Sequence, residues 1–169
     1  MAAAVLFLPY FNGDSAPNND SDARACFFGL SLSSSMPELC RSVMEGVAFS
    51  LRETIEVCRQ TGKTIDTIRV SGGGARSRLW RQIQADIFDA SIVTMGVEEG
   101  PACGAAIMAA VGSGYFSSVV EGSDAIVRIK DRIEPIRENV KIYNEYFHLY
   151  RSLYTNLKAS FKERAALIR

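Results

Sequence analysis

Apolar residues in this chain alternate between short continuous runs and longer stretches in which they recur every three or four positions. The runs at residues 65–70 and 91–95 are rich in β-branched or large apolar side chains and predict β-strands, whereas the run at 5–8 is short and ends at Pro9. The periodic stretches predict helices from Ser35 to Gly62 and over about 77–88, 102–111, 119–129 and 139–157. Because strands and helices alternate, we expect an α/β fold with a mostly parallel sheet flanked by helices.

The helical periodicity also predicts which side chains lie together. Leu79, Ile83 and Ile87 are expected on the buried face of the second helix. In the first helix, apolar residues recur at helical spacing at Leu39, Val43, Val47, Leu51, Ile55 and Cys58. In the last helix, a stripe on one face is expected to form a packing seam and contains Tyr143, Phe147, Tyr150 and Tyr154. We expect residues 1–157 to form one domain and the charged, alanine-rich residues 158–169 to fray.

The composition narrows the class of protein. A length of 169 residues and a hydrophobic fraction of 47% suit one globular domain with its own core. The 19 basic and 19 acidic residues cancel, so we expect neither nucleic acid nor a membrane as a partner. The four cysteines lie far apart and His148 is the only histidine, so no metal site is expected. Scattered cysteines favour reduced thiols and therefore a cytoplasmic protein.

Three consecutive glycines, Gly72, Gly73 and Gly74, stand where the strand at 65–70 passes into the second helix. Glycine lets main-chain N–H groups approach a phosphate without an intervening Cβ, and the start of a helix attracts anions. The pattern therefore predicts a turn that binds the phosphates of a nucleotide. The alternative is a tight turn that uses glycine only for its backbone conformation, and the sequence leaves both interpretations open.

Two common nucleotide motifs fit this turn poorly. A P-loop requires a lysine after its glycines, and no lysine follows here. A dinucleotide fingerprint that starts at Gly72 meets Ser77 where its last Gly or Ala belongs, and the strand at 91–95 does not end in an acid. A cofactor-binding oxidoreductase is therefore the weakest of the functions considered.

Several separated segments carry a family resemblance. They are Leu8-Pro-Tyr-Phe-Asn-Gly13, Ala25-Cys-Phe-Phe-Gly-Leu30, Glu38-Leu39, Ser42-Val-Met-Glu45, Ser71-Gly-Gly-Gly-Ala-Arg-Ser-Arg-Leu-Trp-Arg-Gln-Ile-Gln-Ala-Asp86 and Glu98-Glu99-Gly100. In this order they resemble the FGGY family of carbohydrate kinases, and Tyr150-Arg-Ser-Leu-Tyr154 resembles the tail of its xylulose kinases. Gly13-Asp14-Ser15 departs from the Gly-Glu-Arg of many of these kinases, and Ala25 stands where a glycine is usual.

The resemblance implies the actin-like ATPase fold, which is ribonuclease H-like, with two domains around a cleft. It implies that this chain is most of the second, nucleotide-binding domain of an ATP-dependent kinase that phosphorylates a pentulose such as xylulose. Gly72, Gly73 and Gly74 match the loop that faces the phosphates, whereas Ala75 and Ser77 match positions near the ribose and adenine. The family's catalytic aspartate and most sugar contacts lie in the first domain, so no catalytic residue is expected here. Mg²⁺ is expected to arrive with ATP.

The remaining chemistry-bearing residues have ordinary structural interpretations. Glu98 and Glu99 precede a helix, where acids favour the helix dipole, so we do not expect them to catalyse or to bind magnesium. His148 is expected at the surface, and Trp80 is either a core anchor or part of an adenine pocket. Apolar surface that another domain would cover is expected to favour a homodimer. The alternative function is a non-enzymatic nucleotide-binding or interaction module of the same fold.

Overall fold

A computed structural model describes residues 4–96 and 100–168 of the chain. Within these residues the elements follow the order β1 Leu6–Leu8, β2 Cys26–Phe28, α1 Met36–Gln60, β3 Thr67–Val70, a 3₁₀ turn Gly73–Arg76, α2 Arg78–Phe88, β4 Ser91–Met95, α3 Gly100–Gly112, α4 Val119–Ile126, β5 Ile129–Ile133 and α5 Arg137–Leu167. The predicted strands and the first three helices are confirmed. The fourth helix ends three residues earlier than predicted, because the chain turns there into β5.

The strands form a mixed arrangement in two sheets. β1 pairs antiparallel with β2, whereas β3, β4 and β5 form a second sheet in that order. β3 and β4 are parallel because the α2 crossover returns the chain to the end of the sheet at which β3 began. Two helices, α3 and α4, separate β4 from β5. The chain then enters β5 from the end of the sheet at which β4 finishes, so β5 is antiparallel to β4. The α/β prediction is confirmed, but the expectation of a mostly parallel sheet is wrong.

The aromatic seam on α5 lies at the centre of the core. Phe49 of α1 packs against Tyr143, Phe147 and Tyr150, with ring centroids 6.0, 6.0 and 5.3 Å apart. Tyr154 meets the ring of Tyr10 edge to face at 5.7 Å. The predicted packing seam is therefore confirmed, and it joins α5 to both α1 and the segment after β1.

The last helix extends well beyond the predicted end. α5 continues to Leu167, and Phe161 and Ala165 are buried. These two residues fall on the same helical face as the aromatic seam, so the apolar stripe continues between the charged positions. The prediction that residues from 158 onward fray is therefore wrong.

The first helix buries a face different from its apolar stripe. Val47 and Leu51 are 36% and 45% exposed, whereas Glu45 and Gly46 are buried. A Cβ at Gly46 would overlap the backbone carbonyl of Phe7, so glycine is required where α1 crosses β1. On α2, Ile83 and Ile87 are buried as predicted, but Leu79 is 54% exposed.

A polar network on the buried face of α1 explains why charged residues lie there. The hydroxyl of Tyr143 donates to Glu45 Oε1 at 2.7 Å, and Arg41 Nε donates to the same oxygen at 2.7 Å. Arg41 also donates to the Tyr143 hydroxyl oxygen at 3.0 Å. Because buried charge is costly unless it is paired and hydrogen-bonded, this network makes the burial of Glu45 tolerable.

The loop between β1 and β2 is held in place at its base. Asp14 and Asp20 exchange two backbone hydrogen bonds of 2.8 and 2.7 Å. Gly13 has φ +88°, and a Cβ there would lie 2.7 Å from the Asp20 carbonyl oxygen. Both the backbone conformation and the lack of space therefore require glycine. The hydroxyl of Tyr154 donates to Asp20 Oδ2 at 3.0 Å, which connects the loop to α5.

Of the helices in the described residues, none combines the length and apolar character that crossing a bilayer requires.

Candidate nucleotide site

The glycine turn connects the end of β3 to the start of α2. Gly72 has φ +81°, a left-handed conformation that glycine adopts readily. The Ala75 N–H donates to the Gly72 carbonyl at 3.1 Å, and the Ser77 N–H donates to the Gly74 carbonyl at 3.1 Å. The leading N–H groups of a helical turn have no acceptor within the turn, so those of the glycines are available to a ligand.

The three glycines of the turn have different surroundings. A Cβ at Gly72 or Gly73 would meet nothing within 4 Å, whereas one at Gly74 would lie 3.2 Å from Cδ1 of Trp80. Close packing against the Trp80 indole therefore explains the glycine at position 74. The positive φ explains the glycine at position 72. Of the three, Gly73 has neither constraint from its protein neighbours.

A cavity of about 430 Å³ opens beside the turn, at the edge where β3 and β4 end. Among the described residues, its lining includes Val70, Ser71, Gly72, Gly73, Ala75, Arg76, Arg81, Thr94, Met95, Lys130 and Asp131. Gly72, Gly73 and Ala75, all predicted from the sequence, are thus brought together. Gly74 and Ser77, which were also predicted, lie outside this lining. The Ser77 hydroxyl oxygen accepts the Trp80 N–H at 3.2 Å as the cap of α2.

Four charged residues that line the cavity, Arg76, Arg81, Lys130 and Asp131, were not predicted as site residues. Arg81 of α2 donates from Nη1 to Asp131 Oδ2 of β5 at 2.6 Å, and Lys130 lies next to Asp131 in β5. The Arg81 hydrogen bond lowers the pKa of the Asp131 carboxyl below its usual value, so this group is ionised at neutral pH. Among the described residues that line the cavity, the basic side chains of Arg76, Arg81 and Lys130 outnumber the acidic side chain of Asp131, a composition that suits an anion. No local pattern marks Arg81 and Asp131, because they are 50 positions apart in the chain.

The other candidate residues occupy ordinary positions. His148 is exposed, as predicted, and Trp80 is half-buried and packs against the core, which agrees with an anchoring role. Glu98 and Glu99 lie outside the residues that the structure describes. The four cysteines are free.

A second cavity, of about 510 Å³, lies between α1, α5 and the loop after β1, and it was not predicted from the sequence. Its lining includes Glu53, a residue that is only 6% exposed. Burial, reinforced by the negative charge of Asp14 and opposed by Arg151, raises the pKa of Glu53 to about 7. The Glu53 carboxyl therefore titrates near neutrality.

Comparison with known proteins identifies the family. The sequence profile of the C-terminal domain of the FGGY family of carbohydrate kinases matches residues 1–113. The chain belongs to the FGGY family. The resemblance found in the separated sequence segments is thereby confirmed, and with it the actin-like ATPase fold of the FGGY kinases.

Individual relatives agree with this assignment. Xylulose kinase from Bacillus subtilis strain 168 is 39% identical over 157 residues, which cover 93% of this chain and 32% of the relative. In the solved structure of ligand-bound xylulose kinase from Lactobacillus acidophilus, the match has a TM-score of 0.87 at 30% identity and covers 96% of this chain and 34% of that one. Gluconate kinase from the same organism matches with a TM-score of 0.86 at 30% identity, over 96% of this chain and 34% of that one. This chain spans about a third of the length of these FGGY relatives.

Proposed function

We propose that this chain is the nucleotide-binding half of an ATP-dependent sugar kinase whose sugar is a pentulose such as xylulose. The observation that carries the proposal is the position of Gly72 and Gly73 on an open cavity whose described lining also includes the basic side chains of Arg81 and Lys130. Membership in the FGGY family supports a kinase, and the similarity to xylulose kinases supports the pentulose. The match to gluconate kinase is almost as close in structure, so the choice of sugar rests on sequence similarity.

The turn offers the chemistry that nucleotide phosphates require. Main-chain N–H groups at Gly72 and Gly73 donate hydrogen bonds to phosphate oxygens, and Arg81 and Lys130 offset their negative charge. Bound ATP supplies the phosphoryl group that is transferred. Bound ATP is expected to bring its Mg²⁺ with it, because Asp131, the carboxylate among the described lining residues, is already hydrogen-bonded to Arg81. Ala75 borders the same cavity and suits contact with the ribose or adenine, and Ser77 lies one turn further along.

The chain contributes positioning and charge rather than proton transfer. In phosphoryl transfer, the catalytic effect comes mainly from alignment and electrostatic stabilisation. The base that deprotonates the sugar hydroxyl is assigned to another part of the full-length enzyme, so no residue of this chain is proposed as catalytic. We expect the chain alone to show no xylulose-dependent ADP release, because loss of a general base alone lowers rates roughly 10²–10⁴-fold.

A nucleotide titration tests the proposal directly. We would add ADP to ¹⁵N-labelled chain and follow the backbone amide signals, with NAD⁺ as the comparison ligand. ADP is expected to shift the amides of Gly72, Gly73 and Ala75 and to leave those of β1 unchanged. The absence of any shift at the turn, or equal shifts with NAD⁺, would refute the proposal.

The alternative is a non-enzymatic nucleotide-binding module that controls association. The two functions differ when the chain replaces the matching third of Bacillus subtilis xylulose kinase. Recovery of xylulose kinase activity supports the enzyme, and a folded, ADP-binding but inactive chimaera supports the module.

A cytoplasmic location and a homodimer of the isolated chain are parts of the same proposal. The free cysteines support the cytoplasmic location, and the exposed apolar residues of α1 support the homodimer.

A further inference from the structure

The cationic side chains of the cavity differ in burial. Arg81 is 8% exposed, whereas Arg76 and Lys130 are exposed. Exposed cations are well solvated and screened by salt, so each adds little to the binding of an anion. A buried guanidinium interacts through a lower effective dielectric constant, and its charge therefore acts more strongly on a ligand in the cavity.

The Arg81 guanidinium is also held in a defined position. Its Nη1 lies 2.6 Å from Asp131 Oδ2, and the Asp131 side chain is 52% exposed at the edge of the sheet. This ion pair joins the helix that follows the glycine turn to β5, on the other side of β4 from β3. The arginine is thus fixed relative to the turn before any ligand arrives.

One donor of Arg81 has no role in the described structure. Its Nε is buried and has no hydrogen-bond partner among the described residues. A buried N–H without an acceptor is unfavourable, and a methionine of similar length would avoid that cost. Packing and the bond to Asp131 therefore do not require arginine at this position. The same side chain lines the cavity, where its charge can act on an anionic ligand.

We propose that Arg81, oriented by Asp131, determines the specificity of this site for nucleoside di- and triphosphates over uncharged nucleosides. The inference rests on the proposed nucleotide function and names the residue that recognises the charge of the ligand. A residue that only supports the fold affects adenosine and ADP alike. A residue that recognises phosphate charge affects ADP alone.

The experiment measures the dissociation constants of ADP and adenosine by amide shifts of the full chain. Arg81→Met removes the charge and keeps the length of the side chain, and Arg69→Met is the matched control, because Arg69 is an exposed arginine on β3 outside the cavity. Arg81→Met is expected to weaken ADP binding about tenfold or more and adenosine binding less than twofold. Arg69→Met is expected to change neither.

Asp131→Asn provides a second, independent variant at a half-exposed position. It removes a negative charge from the cavity and keeps the side-chain shape, so ADP binding is expected to strengthen about two- to threefold with adenosine unchanged. An unaltered ratio of ADP to adenosine affinity in Asp131→Asn, or in a folded Arg81→Met, would overturn the inference. A wild-type chain that binds neither ligand would instead refute the nucleotide function itself.

Discussion

A substitution at Gly73 tests whether the turn binds phosphate, because neither packing nor a positive φ requires glycine there, whereas φ favours glycine at Gly72 and packing favours it at Gly74. A Cβ at Gly73 meets no protein atom within 4 Å, and the residue lines the cavity. The substitution Gly73→Val therefore adds a side chain that the fold accommodates and that obstructs a phosphate at the backbone. Gly112→Val is the matched control, since a Cβ at Gly112 also meets nothing within 4 Å and the residue lies outside the cavity.

The expected sizes of the two effects differ clearly. A hydrogen bond from a backbone N–H to a charged phosphate contributes roughly 1.5–3 kcal/mol. Loss of one such bond raises the dissociation constant of ADP about 10- to 100-fold. The free energy of unfolding is expected to change by no more than about 1 kcal/mol, which shifts the melting temperature by about 2–4 °C in a domain of this size. Gly72→Val, in contrast, strains a residue with φ +81° and should destabilise the fold.

The assay pairs calorimetric titration with ADP and a thermal melt of each variant. Gly73→Val should melt near the wild type and bind ADP at least tenfold more weakly, whereas Gly112→Val should bind like the wild type. A folded Gly73→Val chain with wild-type affinity for ADP would refute the phosphate-binding turn. A large drop in melting temperature would show instead that the turn needs glycine for its conformation.

Two further predictions concern stability and association. The pKa of the Glu53 carboxyl is about 7 in the folded chain and 4.5 when unperturbed, so the folded state binds the proton more tightly. The free energy of unfolding therefore falls by up to about 3 kcal/mol as the pH rises from 4.5 through 7. Glu53→Gln should therefore be more stable than the wild type at pH 8 and not at pH 4.5 in urea unfolding; an equal difference at both values contradicts this. The exposed Val47 and Leu51 should drive self-association, so Val47→Asp with Leu51→Lys should shift sedimentation toward monomer, and a wild-type chain that sediments as a monomer at every concentration contradicts it.

Much of the local structure followed from the sequence because local interactions determine it. Ser34 or Ser35 was predicted to cap α1, and the cap is Ser35, whose N–H donates to the Glu38 carboxylate at 2.8 Å in the first turn. The strand at 91–95 and the glycine turn before α2 were also predicted, since β-branched runs and consecutive glycines act within a few residues. The family was recognisable for the same reason, as its signatures are short and contiguous.

Long-range packing decided what periodicity left open. The face that α1 buries follows from the approach of Gly46 to β1 and from the Glu45–Tyr143 hydrogen bond, which joins residues 98 positions apart. β5 was not predicted as a strand because most of its residues are polar and exposed, and it exists only because β4 offers an edge. The Arg81–Asp131 pair at the cavity likewise depends on that pairing. Local sequence limits which surfaces can be buried, but the choice among them depends on contacts between residues that only the folded chain brings together.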